Sequence, residues 1–193
     1  MTGVVGSRLA VFVLASTLWP AAGALTEVTD AVRVSNLTGQ QIAPFHASGQ
    51  KVVVFVFVTV DCPISNRYAP EVQRLSRESS PDAAFWLVYP DANLSTELLQ
   101  RHVKDFGYSL PALYDREHRL VQLTGATVMP EVAVFDRSRR LVYRGRIDNR
   151  FVTFGIMRGE PTERDLEKVL TALHAGKAIS PSTTQSIGCS IPH

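Results

Sequence analysis

The strongest feature in the hydrophobic pattern is one unbroken run, Val52 to Val60, made almost wholly of β-branched and aromatic residues. A strand buried on both faces shows this pattern, because neither side of its pleat meets water. The run gives way to Asp61-Cys62-Pro63-Ile64-Ser65-Asn66, which reads as a helix start. Proline suits the first helical position, where its missing N–H has no partner to lose, so Cys62 becomes the N-cap residue. Tyr68, Val72 and Leu75 then mark one apolar face of a helix from Pro63 towards Glu78, and Pro70 should kink it.

A second apolar run, Ala83 to Tyr89, predicts another buried strand. Ser95 to Phe106 predicts a helix with Ser95 as cap and Leu98, Leu99, Val103 and Phe106 as its stripe. Leu110 to Tyr114 reads as a short strand and Glu117 to Leu123 as a short helix stopped by Thr124-Gly125. Val128-Met129-Pro130 leads into an antiparallel pair, Glu131 to Phe135 and Arg140 to Ile147, joined by a turn at Asp136 to Arg139. Asp148 to Pro161 reads as a loop, and Thr162 to Ala175 as a helix capped by Thr162. Upstream, Val32 to Phe45 reads as a hairpin ahead of the main fold, followed by a polar turn at Ala47 to Gln50. The order implies an α/β fold with a central mixed sheet flanked by helices, an N-terminal hairpin extension and a C-terminal tail.

The two ends change the picture. Arg8, the apolar segment Leu9 to Trp19 and the small residues Ala21 to Ala24 describe a secretory signal peptide, residues 1–24, cleaved after Ala24. The apolar segment is short of the roughly 20 residues of a membrane span, so no stable span is expected after cleavage. That leaves one domain, residues 25–175, and a Ser/Thr/Pro-rich tail, residues 176–193. The expected location is periplasmic or extracellular. With 20 Lys+Arg against 18 Asp+Glu, nothing points to nucleic acid or an acidic membrane. The histidines are scattered without ligand spacing, so neither a metal nor a cofactor is expected. The two cysteines, Cys62 and Cys189, are free to pair stably in an oxidising compartment.

A thiol at a strand-to-helix corner is placed for redox chemistry, since free backbone N–H groups favour its thiolate. At this point the residues resemble the thioredoxin-like superfamily. Cys62, Ser65 and Pro70 fit its Cys-x-x-Cys or Cys-x-x-Ser corner with a kinking proline, and Met129-Pro130 resembles its cis-proline before a hairpin. Ser186-Ile187-Gly188-Cys189 and Gly145-Arg146-Ile147-Asp148 resemble exported bacterial redoxin-domain proteins of the alkyl hydroperoxide reductase/thiol-specific antioxidant type. The resemblance implies a proline that packs on the active sulfur and helps to bind a partner chain. Pro63, Met129 and Pro130 are therefore the candidate substrate-binding residues, and Cys62, Cys189, Ser65 and Thr59 the candidate catalytic ones.

The departures are informative. Ser65 replaces the second motif cysteine, Val56 stands where thioredoxins bury an acid, and Asp61 opposes ionisation of the neighbouring thiol. Peroxiredoxins share the Cys-Pro corner and a threonine three residues earlier, here Thr59. Their preceding proline is Phe55 here, and their peroxide-activating arginine falls on Pro130, leaving Arg146 or Arg150 as substitutes from elsewhere. The expected activity is thiol–disulfide exchange with a protein dithiol or disulfide partner: Cys62 attacks, and Cys189, on a flexible tail, resolves the mixed disulfide. The alternatives are a thiol peroxidase acting on peroxide, a disulfide-stapled binding module without turnover, and a copper or haem-pathway chaperone.

Overall fold

The computed structural model of the chain describes Thr29, residues 31–49 and residues 51–192. The signal peptide read in residues 1–24 lies outside the described residues. Strand β1 (Val34–Asn36), β2 (Gln41–Ile42), helix α1 (Pro44–Ala47) and β3 (Val52–Phe57) open the chain. Helices α2 (Pro63–Arg67) and α3 (Ala69–Ser79), strand β4 (Ala83–Tyr89), helix α4 (Thr96–Asp105) and strand β5 (Ala112–Tyr114) follow. The second half carries α5 (Arg119–Thr124), β6 (Val128–Met129), β7 (Glu131–Phe135), β8 (Leu141–Gly145), β9 (Phe151–Thr153), β10 (Ile156–Met157), α6 (Asp165–His174) and β11 (Cys189–Ser190).

Among the described residues seven strands form one mixed sheet in the order β2-β1-β5-β4-β3-β7-β8. β3 lies inside the sheet between β4, to which it is parallel, and β7, to which it is antiparallel. Every residue of β3 is buried, as its unbroken apolar run requires. Alternation along the strand sorts its side chains into two cores. Val52, Val54 and Val56 pack with Val72 and Leu75 of α3 and Leu166, Val169 and Leu170 of α6. Val53, Phe55 and Phe57 pack on the opposite face with Phe45 of α1, Leu120 of α5 and Phe135 of β7. There Phe45, Phe55 and Phe135 meet edge to face, with centroids 4.9 to 5.9 Å apart.

The expected kink is a break between α2 and α3 at Tyr68 (φ −84, ψ −5). Pro70 has no N–H to offer the carbonyl a turn earlier, and the Tyr68 N–H tightens onto Ser65 O at 3.1 Å instead. Ser95 caps α4, accepting from the Leu98 N–H.

The N-terminal hairpin, β1 with β2, is present and extends the main sheet through β5. Three expectations are corrected. Ala47 ends a one-turn helix rather than beginning a polar turn, because Pro44 starts that turn and Phe45 is drawn into the aromatic cluster. Thr162 does not cap α6, which begins at Asp165. Its hydroxyl accepts from Asn149 Nδ2, while Asn149 Oδ1 accepts the Thr162 and Glu163 N–H groups, holding that stretch to the β8 end. The loop after Asp148 contains a hairpin, β9 with β10, that turns at Gly155 (φ +80).

The looseness expected of the tail is corrected as well. The tail is not a loose extension: Arg144 exchanges backbone hydrogen bonds with Ser182 and Thr184, and β11 pairs antiparallel with β6. Ile191 donates its N–H to Thr127 O and is only 4% exposed. Gly145 permits this crossing, since a Cβ there would stand 2.2 Å from Thr184 Oγ1.

The aromatic cluster predicts the cost of opening this core. Phe55→Ala is expected to lower the free energy of unfolding by about 3–5 kcal/mol, read from urea denaturation of the oxidised protein. A loss below about 1 kcal/mol would mean that the cluster refills the space and that β3 is not its anchor.

Candidate active site

Strand β3 runs out through Val58 and Thr59 to a corner at Cys62. Cys62 holds the extended N-cap conformation (φ −84, ψ 111), with Pro63 at the first helical position, as the sequence implies. Pro63 and Asp61 face solvent, but Cys62 itself is 0% exposed. Its sulfur is bonded to that of Cys189, 127 residues further on, with the two Cα atoms 6.1 Å apart. The same sulfur lies 3.3 Å from the carbonyl oxygen of Met129, and the Met129–Pro130 peptide bond is cis. Cys62, Met129, Pro130 and Cys189 therefore meet at one point. Cys189 is the more accessible of the two sulfur residues, being only partly buried.

Thr59 and Ser65 face each other and their own loop. The Thr59 N–H donates to Ser65 Oγ at 3.4 Å, and the Thr59 hydroxyl donates to Asp61 Oδ1 at 3.1 Å. Both hold the corner in shape. Arg146 is engaged by the Asp165 carboxylate at 2.8 Å. Arg67 is turned outward to the Met157 sulfur. Val56, in place of a buried acid, is part of the core.

Three positions that brace the corner escaped the sequence reading. Asn66, on α2, donates through Nδ2 to Val60 O at 2.9 Å and accepts through Oδ1 from His102 Nε2 at 2.8 Å. The other ring nitrogen of His102 accepts from the Tyr89 hydroxyl, also at 2.8 Å. This fixes the neutral ring with its proton on Nε2. The chain Tyr89-His102-Asn66 thus ties β4 and α4 to the turn just before Cys62. Its one sequence signal is a histidine on the apolar side of α4, next to Val103.

Next to Pro130, the Tyr68 hydroxyl and the Arg150 N–H both donate to Asp148 Oδ1. Asp148 Oδ2 is buried without a hydrogen-bond partner, 3.9 Å from Arg150 Nε. Burial and then the Asp148 carboxylate push the Tyr68 phenol well above its usual range, so it keeps its proton. Tyr68, Asp148 and Ile187 of the tail wall a small cavity against Pro130. Among the described residues no group of three or more His, Cys, Asp or Glu is placed to hold a metal ion.

The sequence matches the redoxin family model over residues 24–154, more than half of the chain. The chain belongs to the redoxin family. No curated protein matches this redoxin. Among solved structures, its fold is similar to an uncharacterized conserved protein from Geobacillus kaustophilus, with 24% identity and a TM-score of 0.72 over 85% of this chain and 90% of that one. A hypothetical protein from Sinorhizobium meliloti 1021 is similar at 24% identity and a TM-score of 0.70, over 83% and 89% of the two chains. A secreted Mycobacterium tuberculosis disulfide oxidoreductase, homologous to E. coli DsbE, shares the fold at 15% identity and a TM-score of 0.53, over 78% and 98%. The thioredoxin-like fold expected from the corner and the proline is the fold of this redoxin.

The buried histidine gives the redoxin a pH-dependent stability. Burial lowers the His102 pKa from 6.5, against a smaller opposing pull from Asp105. Unfolding returns the ring to its ordinary value, so below pH 6.5 the unfolded chain binds a proton that the folded chain refuses. This contribution is complete above that pH and is lost as the pH falls through the window beneath it. Urea midpoints taken from pH 7.5 to 5.5 should fall more steeply for wild type than for His102→Gln. Parallel curves would show that His102 is not the group responsible.

Proposed function

We propose that this redoxin is an exported thiol–disulfide oxidoreductase in which Cys62 and Cys189 form the working dithiol/disulfide couple. The observation that carries the reading is the meeting of both sulfurs at the cis-proline corner, with Cys189 brought there by its own strand rather than by the α2 motif. Export rests on the leader pattern of residues 1–24.

The structure corresponds to the oxidised state of this couple. In the reduced state the Cys62 thiolate attacks a partner disulfide, forming a mixed disulfide and expelling the partner's other sulfur as a thiolate. Cys189 then attacks the Cys62 sulfur. The second partner thiolate leaves, and two electrons have passed from the cysteine pair to the partner. A dithiol reductant restores the pair, entering at the more accessible Cys189 and releasing Cys62 as the leaving thiolate.

Two contacts favour disulfide exchange over peroxide chemistry: the Thr59 hydroxyl is committed to Asp61, and Arg146 to Asp165. A protein partner is favoured by the β9–β10 hairpin, which lies beside α2 and exposes Val152, Phe154 and Ile156. A second reading, a permanent staple without turnover, draws on the complete burial of Cys62. A staple closing so long a loop would contribute about 4–5 kcal/mol in the chain-entropy model.

Insulin disulfide reduction and peroxide consumption, compared in wild type, Cys62→Ser and Cys189→Ser, decide among these readings. Insulin reduction should be abolished by Cys62→Ser, and Cys189→Ser should slow it and accumulate a mixed disulfide on Cys62. The Cys62–Cys189 potential should lie above about −300 mV, the upper bound usual for structural bonds. A lower potential without reductase activity would establish the staple. Peroxide turnover that depends on Cys62 would establish the peroxidase.

A further inference from the structure

Strand β6 carries the residue that touches the active sulfur, yet its partner among the described residues is not the main sheet but the chain's own tail. Cys189 stands opposite Met129 and Ser190 opposite Val128, with the Ile191 N–H donated to Thr127 O at 3.0 Å. An extended segment from any other protein would have to take this same edge to place a sulfur against Cys62.

The tail also shows what the edge selects. At Gly188 a Cβ would stand 2.2 Å from Met129 O and 2.6 Å from Met129 C. No φ in the left-handed region is involved there, so the requirement for glycine is one of space alone. Two residues past the cysteine, Ile191 sinks into the core that holds Phe57 and Met129. Two residues before it, Ile187 packs against the opposite core and lines the cavity beside Pro130 and Asp148. Position by position, the groove reads aliphatic, glycine, cysteine, any residue, aliphatic.

The geometry points to the tail as a built-in occupant of the groove that receives protein partners. The partner is an extended segment whose disulfide-bonded cysteine follows a glycine and is flanked by aliphatic side chains two residues away on either side. This inference rests on the exchange activity proposed above and adds its substrate class and its control. While Cys62 and Cys189 are joined, the groove is closed. It opens when a dithiol reductant transfers two electrons: one of its thiolates attacks the Cys189 sulfur, Cys62 departs as a thiolate, and the reductant's second thiol displaces Cys189 and closes the reductant's own disulfide. The tail is then held without a covalent bond, and an outside strand competes with a tethered one.

The test uses the full-length Cys189→Ser chain, in which Cys62 is the single thiol. The probes are two peptides, Ser-Ile-Gly-Cys-Ser-Ile-Pro and the same sequence with valine for glycine. Each carries thiopyridine on its cysteine, so that attack by Cys62 forms the peptide disulfide and releases thiopyridone. The glycine peptide is expected to react about tenfold faster, since the valine must overpack the Met129 backbone. Adding Gly188→Val to the chain should expel the tail and raise the rate with the glycine peptide severalfold.

Equal rates for the two peptides would overturn the groove, as would a Gly188→Val change that leaves the glycine-peptide rate unaltered. Cystamine separates the two levels of inference. If Cys62 reacts with this small disulfide but does not distinguish the peptides, only the groove is lost. If it reacts with neither cystamine nor peptide, the exchange activity fails and the groove with it. Should the doubly substituted chain not fold, the peptide comparison on Cys189→Ser decides alone.

Discussion

The backbone of Met129 is approached from two sides. Its carbonyl oxygen lies 3.3 Å from the Cys62 sulfur, and Gly188 of the tail sits so close to it that no side chain fits between. Met129 is therefore where the first half of the chain, ending β3 at the cysteine corner, meets the last few residues. The disulfide records that meeting, and the β6–β11 pairing gives it direction. A sulfur 127 residues away reaches Cys62 only because the tail is laid along an edge whose position the sheet has already set.

That edge is rigid because of what lies behind it. β3 divides two cores, and its alternate side chains commit the strand to one register against both helical layers. Where β3 leaves the sheet, polar contacts take over from packing. Thr59, Ser65 and Asp61 fold the corner onto itself, and Asn66, held by His102 and Tyr89, fixes the carbonyl of Val60. The sulfur is thus mounted on a loop whose hydrogen bonds are satisfied without it.

The departures from the two-cysteine motif fit this arrangement. With Ser65 in place of a second thiol, the α2 turn has no sulfur to offer, and its hydroxyl becomes a brace. Val56 in place of a buried acid is consistent with that, since no resolving thiol beneath the corner needs its proton removed. The second sulfur arrives instead on a strand that also covers the partner edge. One segment therefore supplies both the second sulfur and the strand that pairs with β6.

Much of this was legible in the residues. The strand Ala83–Tyr89, the capped helix at Ser95, the Cys62 N-cap and the pair after Pro130 all follow from local rules, because burial period, caps and proline act over a few neighbouring residues. The hairpin at Gly155 and the real start of α6 were missed, because Phe151, Met157 and Asn149 are placed by partners outside the hairpin. The Asn66-His102-Tyr89 chain joins three elements and has no signature in any one of them. Most of all, the segment Ile179–Ile191 is polar enough along much of its length to read as a free tail, and only an available strand edge makes it an element. By itself the sequence determined the sheet, its helices and the corner that holds the Cys62 sulfur. The tertiary structure alone decided how the tail is laid so that Cys189 reaches that sulfur, since a contact between residues 127 positions apart depends on the path of the whole chain.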